Sequence, residues 1–209
     1  MKAPLITTTI GAFPKPSYVP IRDWFDLARE TGGMNTAATT RQYSKDVEKN
    51  KAAHERLFLR AAKEVLEIQI QAGISIPTDG EVRRENYIHY HCRHLGGFDF
   101  DTLERRVLRD GAYETDLPTI RSEVLHSGRN YSSHDYVASQ GVSTRPVKFT
   151  LPGPLTIMDT TADCFYGDRP KLNTALAATI NKEVLALVDA GCRYIQVDEP
   201  LFARSVKDA

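Results

Sequence analysis

The chain has 209 residues, enough to bury a sizeable core, and 27 lysines and arginines balance 27 aspartates and glutamates. That balance excludes the strongly basic surface that nucleic acid or an anionic membrane would recruit, leaving a small molecule or another protein as the expected partner. Cys92, Cys164 and Cys192 are odd in number and far apart, which fits a reducing compartment better than a disulfide framework, and the polar Thr7-Thr8-Thr9 replaces the apolar core of a signal sequence, so a soluble, cytoplasmic protein is expected.

Leu5 to Phe13 reads as a first strand, β-branched from Ile6 to Ile10 and broken by Gly11-Ala12-Phe13-Pro14. Small residues there let a ligand approach the backbone, although an ordinary strand-to-loop turn would look the same. Residues 14–43 read as loop, with a short helical piece around Asp23 to Arg29 and a break at Thr31-Gly32-Gly33. Ser44 is expected to cap a long helix in which Val47, Leu57, Phe58, Ala61, Val65, Ile68 and Ala72 recur at three- and four-residue steps. Ala72-Gly73 closes that helix, and Ile74 onward forms a second strand that runs into Asp79-Gly80-Glu81.

From residue 82 to about 145 the rhythm changes. Strand-like pieces at Phe98 to Leu108 and Thr119 to Leu125, with Gly111 between them, predict a hairpin with helices laid over one end of the main body. These pieces are short and have no core of their own, so residues 1–209 are expected to form a single, incomplete barrel domain. Within the excursion, His89-Tyr90-His91-Cys92-Arg93-His94 offers two loose ligand pairs but no closed tetrahedral set, and a solvated helix is the expectation there.

Pro146 to Leu151 is a third strand, stopped by Pro152-Gly153-Pro154. Pro170 opens another helix with the stripe Leu172, Leu176, Ile180, Val184, Leu187 and Val188, and Gly191 ends it. The fourth strand, Tyr194-Ile195-Gln196-Val197, ends in Asp198, Glu199 and Pro200. Those two acids suit either a site or the cap of the next helix.

The repeated order of helix, glycine, strand and acid predicts an α/β fold. Its form is a partial TIM-type (β/α) barrel, about four of eight parallel strands, near residues 5–12, 74–80, 146–151 and 194–199 in sequential order. Chemistry in such folds sits at the C-terminal strand ends. The candidate groups there are the Ile10-Gly11-Ala12 backbone, Glu81 and Asp198, with Pro152, Gly153 and Glu199 as pocket wall. Carboxylates beside free backbone amides and carbonyls suit a zwitterionic substrate.

Thr7-Thr8-Thr9-Ile10-Gly11-Ala12-Phe13-Pro14, Asp79-Gly80-Glu81, Leu151-Pro152-Gly153-Pro154-Leu155-Thr156 and Ile195-Gln196-Val197-Asp198-Glu199-Pro200 together resemble the catalytic barrel of the cobalamin-independent methionine synthase family. The four motifs stand in the family's order and span nearly the whole chain, corresponding to the N-terminal half of that barrel. The resemblance implies a methyltransferase that moves a methyl group from methyltetrahydrofolate, or a related donor, to the zinc-activated thiol of homocysteine. By position, Ile10, Gly11 and Ala12 would line the homocysteine backbone site, and Glu81 and Asp198 would hold its amino group.

Four departures from the family qualify this expectation. Ala12 stands where the family has serine. Thr160 replaces its folate-stacking tryptophan, and Arg204 a glutamate, which leaves a corrinoid-linked or simplified donor open. The family's zinc ligands would lie beyond Ala209, so no residue here is assigned to the metal. The chain is expected to be inactive alone and to need a second chain or self-association to complete the barrel. A non-catalytic amino-acid-binding or regulatory homologue and a related barrel methyltransferase acting on another thiol are the alternatives.

Overall fold

The computed structural model describes residues 5–21, 43, 47, 50–108 and 113–203. The expected features at Asp23–Arg29, Thr31–Gly33, Ser44, Gly111 and Arg204 lie outside these residues.

Helix α1, Lys51–Gln71, buries Phe58, Ala61, Ala62, Val65 and Leu66, and with them the polar Gln69. Ile68, expected in the buried stripe, is 52% exposed instead. The step from Val65 to Gln69 is a full helical turn, so Gln69 and not Ile68 continues the inward row. Helix α2, His89–Arg93, follows, and then two long strands, β1 (Leu95–Leu108) and β2 (Tyr113–His126), pair as an antiparallel hairpin. After helix α3 (Tyr131–Gly141) come strand β3 (Lys148–Pro152), the short helix α4 (Pro154–Asp159), the two-residue strand β4 (Ala162–Asp163), helix α5 (Arg169–Asp189) and strand β5 (Tyr194–Asp198).

The four stretches expected as strands do lie side by side, parallel and in sequential order. Thr8 bridges to Ile76, Thr78 bridges to Lys148, and β3 pairs with β5 in unbroken register from Lys148↔Tyr194 to Pro152↔Asp198. The first two stretches make single bridges instead of continuous ladders. Pro77 explains part of this: it has no N–H to give and contributes its carbonyl alone, to the Lys148 N–H at 2.9 Å. The arc is open, and no closed barrel is formed among the described residues; the hairpin builds a separate sheet in the order β1, β2, β4.

The two long helices end alike before their strands. Gly73 and Gly191 both adopt φ 86°, and the next residue's N–H reaches back to the last turn, Ile74 to Gln69 O at 3.0 Å and Cys192 to Leu187 O at 2.9 Å. This is the Schellman closure, and glycine supplies its left-handed residue without a side-chain clash. Asp168 caps α5 through the Lys171 N–H, just ahead of Pro170.

The main core packs Phe149 and Leu151 of β3 against Leu172, Leu176, Ile180 and Leu187 of α5. Ile88, Cys92, Ile120, Val124 and Tyr136 of the excursion join the same cluster. Val188, expected in the α5 stripe, is instead 54% exposed, as is Leu185. In their place α5 buries Glu183, whose carboxylate takes the His126 Nε2 at 2.6 Å and the Ser132 N–H at 3.1 Å, fastening hairpin and α3 to the helix.

Gln69 stands in for a strand partner. Its amide donates to Thr78 O at 2.8 Å and accepts from Thr78 N at 3.0 Å and from Thr9 Oγ1 at 2.7 Å, so the fully buried Thr78 has both backbone groups paired. Gln69→Leu, nearly isosteric, strands those groups, and we expect it to cost about 3 kcal/mol in urea unfolding, since each unpaired buried group costs about 1–3 kcal/mol. An unchanged midpoint would show that the pairing is dispensable.

Candidate active site

Parallel pairing puts the ends of all four stretches on one edge, and the alternation of strand side chains decides which residues face inward there. On β3 the parity sends Phe149 and Leu151 to the helices and Lys148 and Thr150 to the interior; on β5 the matching residues are Gln196 and Asp198.

Glu81 is a buried acid of this edge, 6% exposed. It sits at φ 57°, a left-handed conformation uncommon outside glycine, set up by Gly80 at φ 69° and by Asp79, whose Oδ1 accepts the Glu81 N–H at 3.0 Å. Asp79 Oδ2 is held in turn by the Ser139 hydroxyl at 3.2 Å. The turn delivers Glu81 Oε1 to the Thr150 hydroxyl at 2.7 Å and to Arg84 Nη1 at 3.3 Å. Arg84 also bonds Thr150 Oγ1 at 2.8 Å and stacks over Phe149 at 4.9 Å. Burial works against the Arg84 charge, but Glu81 and Asp79 beside it outweigh burial and hold its pKa above the ordinary value.

Gly11 completes the same cluster from the first stretch. Its carbonyl accepts the Thr78 hydroxyl at 2.8 Å, and a Cβ at this position would lie 2.6 Å from Glu81 Oε1. The neighbouring Ile10 side chain is 83% exposed, while its carbonyl accepts from Gln196 Nε2 at 2.9 Å; Ala12 is exposed.

Asp198 is half-buried. Its Oδ1 accepts from Gln196 Nε2 at 2.6 Å, and its carbonyl receives the Gly153 N–H at 2.8 Å. Burial raises its pKa first, Gln196 opposes this, and the negative charge of Glu81 raises it further. Gly11, Glu81, Gly153 and Asp198 are therefore brought to one edge, where the charge of Glu81 acts on Asp198. Lys148, which the sequence reading passed over, bonds Thr9 O and Gln196 Oε1 within this interior.

Glu199 has a different task. Its carboxylate accepts the N–H groups of Leu155 at 2.8 Å and Thr156 at 2.9 Å and the Thr156 hydroxyl at 2.7 Å. It closes the N-terminus of α4, a helix before it in sequence, whereas the expectation was a pocket wall or a cap on the following helix. Gly153 allows this, because a Cβ there would stand 2.1 Å from Glu199 Oε1.

The histidine cluster is a helix, as expected, but it is not solvated. His89, His91 and Cys92 are buried, with His91 Nδ1 3.0 Å from the Tyr131 hydroxyl and His94 stacked on the Tyr131 ring at 4.2 Å. The excursion folds over it, and burial lowers the His89 pKa to about 4 and the His91 pKa well below the ordinary value. Among the described residues no group of three His, Cys, Asp or Glu side chains could hold a metal ion. The described residues therefore do not fit the zinc that the family resemblance implies.

A family model described as "Cobalamin-independent synthase, Catalytic domain" matches residues 5–208. The chain belongs to the cobalamin-independent methionine synthase family. It is 31% identical over 196 residues to a methionine synthase of Sulfolobus acidocaldarius, covering 94% of this chain and 52% of that protein. With a methionine synthase of Saccharolobus solfataricus it shares 29% identity over 200 residues, covering 95% of this chain and 54% of the relative. The structure of a B12-independent methionine synthase from Shewanella sp. W3-18-1, in complex with selenomethionine, superposes with a TM-score of 0.74 at 29% identity, covering 99% of this chain and 55% of that one. The chain thus spans about half the length of the methionine synthases it matches.

Two outcomes are expected from this geometry. Gly153→Ala forces Glu199 off the α4 N-terminus, and the lost cap together with the clash should lower stability by about 2 kcal/mol, read by thermal or urea unfolding. An equally stable variant would refute the role given to Glu199. Second, the folded state holds His89 and His91 neutral, so the unfolded chain binds more protons once the pH falls below the ordinary imidazole value of 6.5. Stability is then fully present above about pH 6.5 and is lost as the pH falls toward 4, by up to about 1.4 kcal/mol per pH unit for each imidazole. His89→Gln should flatten this slope between pH 6.5 and 4 in urea unfolding; an unchanged slope would contradict it.

Proposed function

We propose that this chain carries the amino-acid subsite of a methionine-synthase-type methyltransferase and takes homocysteine as its thiol substrate. The observation that carries the reading is the pair Glu81 and Asp198. They are two acids from different strand ends, one buried and one half-buried; burial raises the Asp198 pKa first, and the charge of Glu81 adds to it. Such a pair is stabilised by a cation placed between its members. The ammonium of an α-amino acid supplies that cation with three donors, enough to serve both carboxylates. The backbone of Ile10, Gly11 and Ala12 lies along the same edge and would receive the remainder of the amino-acid head. The selenomethionine named for the Shewanella structure is consistent with this substrate class.

Methyl transfer must bring the substrate sulfur against a methyl donor, with loss of the thiol proton. A thiol with a pKa of about 8.5 is only a few per cent thiolate at neutral pH, so activation is required. No step through zinc is assigned to the residues present. Methyltetrahydrofolate is the family's donor; Thr160, where the family has its stacking tryptophan, spends its hydroxyl on Thr156 O at 2.7 Å and offers no ring. We assign the described stretch to substrate binding within one incomplete barrel domain and assign thiol activation to further chain. Such chain would also cover Leu185, Val188 and Val197, which are 54%, 54% and 47% exposed.

Calorimetric titration with L-homocysteine and L-methionine tests the subsite. Both should bind, and Asp198→Asn should weaken each about tenfold or more, the worth of one bond to a charged group. Affinity indifferent to Asp198→Asn would overturn the assignment. Methionine formation assayed with methyltetrahydrofolate or methylcobalamin, with and without zinc, should be absent for this chain by itself, and zinc-dependent turnover by a verified monomer would disprove the division of labour.

A further inference from the structure

We infer that Lys148 and Gln196 are positioning residues which hold Asp198 ionised and aimed, by a hydrogen-bonded relay that crosses the interior of the strand arc. The inference rests on the amino-acid subsite proposed above, but its geometry stands independently of any ligand.

Lys148 opens β3 and is 7% exposed, unusual burial for an ammonium. Its Nζ donates to the Thr9 carbonyl of the first stretch and to Gln196 Oε1 on β5. With its oxygen so occupied, the Gln196 amide is fixed in orientation, and its Nε2 donates both to the Ile10 carbonyl at 2.9 Å and to Asp198 Oδ1 at 2.6 Å. One lysine and one glutamine thus connect three of the four stretches: the first through the Thr9 and Ile10 carbonyls, β3 through Lys148, and β5 through Gln196.

The directions of these bonds matter chemically. Gln196 can donate to Asp198 whether or not Asp198 is ionised, but the bond is strongest to the carboxylate, and donation from an amide whose oxygen is bound to an ammonium is strengthened further. Lys148 adds its own positive charge to the same interior. Both oppose the two influences that favour protonated Asp198, its burial and the negative charge of Glu81. The charged groups facing Asp198 are Glu81 and Arg84 from the turn after the second stretch and Lys148 from β3. Removing Lys148 leaves Arg84 as the cation among them, and Arg84 is already engaged by Glu81 at 3.3 Å.

A residue that merely filled the interior would affect stability and little else, whereas this relay predicts an effect on one proton. The test is carbonyl-detected NMR titration of the ligand-free protein, with the Asp198 signal assigned through Asp198→Asn. Lys148→Met and Gln196→Leu should each raise the Asp198 midpoint, by about one pH unit if the lost interaction is worth a tenfold change in the ionisation equilibrium. Lys148→Arg keeps the charge and should return the midpoint toward that of the unmodified protein. Midpoints unmoved, or lowered, in folded Lys148→Met and Gln196→Leu overturn the inference. Should Lys148→Met fail to fold, Gln196→Leu alone decides it. Methionine affinity followed across the same pH range separates the two readings. A raised midpoint without methionine binding upholds the relay and sinks the amino-acid subsite; binding with unshifted midpoints does the reverse.

Discussion

The burial of the Glu81 carboxylate is the constraint around which the strand ends are arranged. A charge taken out of water is costly unless hydrogen bonds and an opposite charge replace its hydration. Here the replacement comes from the Thr150 hydroxyl at 2.7 Å and the Arg84 guanidinium at 3.3 Å. Each neighbouring oddity follows from the need to assemble that set. Gly80 and Glu81 adopt left-handed backbones so that the acid and Arg84, three residues apart, can both turn inward. Gly11 lacks a side chain because Glu81 occupies its place. A non-glycine residue with positive φ costs energy that the surroundings must over-determine, and Asp79, anchored to Ser139 on α3, is the brace that does so.

The two consecutive acids Asp198 and Glu199 show how strand parity divides labour. Asp198 lies in register with Pro152 and shares the interior parity of Gln196, so it belongs to the site. Glu199, one residue on, has the opposite parity and meets the orphan N–H groups of α4. The Pro152-Gly153-Pro154 turn serves both. Its prolines end β3 and start α4, while the glycine between them gives its N–H to Asp198 and its empty Cβ space to Glu199.

Much of this was legible in the sequence because it follows from residues with few options. Prolines, glycines and the helix, glycine, strand, acid grammar located all four strand ends, and the antiparallel hairpin stood out from the rest. What was hidden lay in side chains whose partners are remote in sequence. Gln69 looks like an ordinary polar residue on a helix until Thr78 is known to need both of its backbone groups paired. The histidine cluster reads as solvated because its cover, Tyr131 and Phe149, comes some 40 and 58 residues later. Lys148 and Gln196 did leave a signal, each standing two before another polar residue, Thr150 and Asp198, within an apolar strand, but alternation alone cannot say that the interior of this arc is the polar side.

That polarity explains why the site can exist at all. Were the inward parity of β3 and β5 apolar, Asp198 would be desolvated without donors and would simply be protonated. Burial lowers the Lys148 pKa, while Asp198 and Glu81 pull it back up, so each charge of the interior makes the others tolerable. Asp198 nevertheless sits above its ordinary pKa, first because it is buried and further because of the charge of Glu81. An ammonium bound as proposed beside the exposed Ile10 would bring its own positive charge and hydrogen-bond donors to this interior. Under the proposed amino-acid subsite, the free energy released when the ammonium meets the two carboxylates would be available to hold the rest of the molecule in place, including a reactive group at the far end of its side chain.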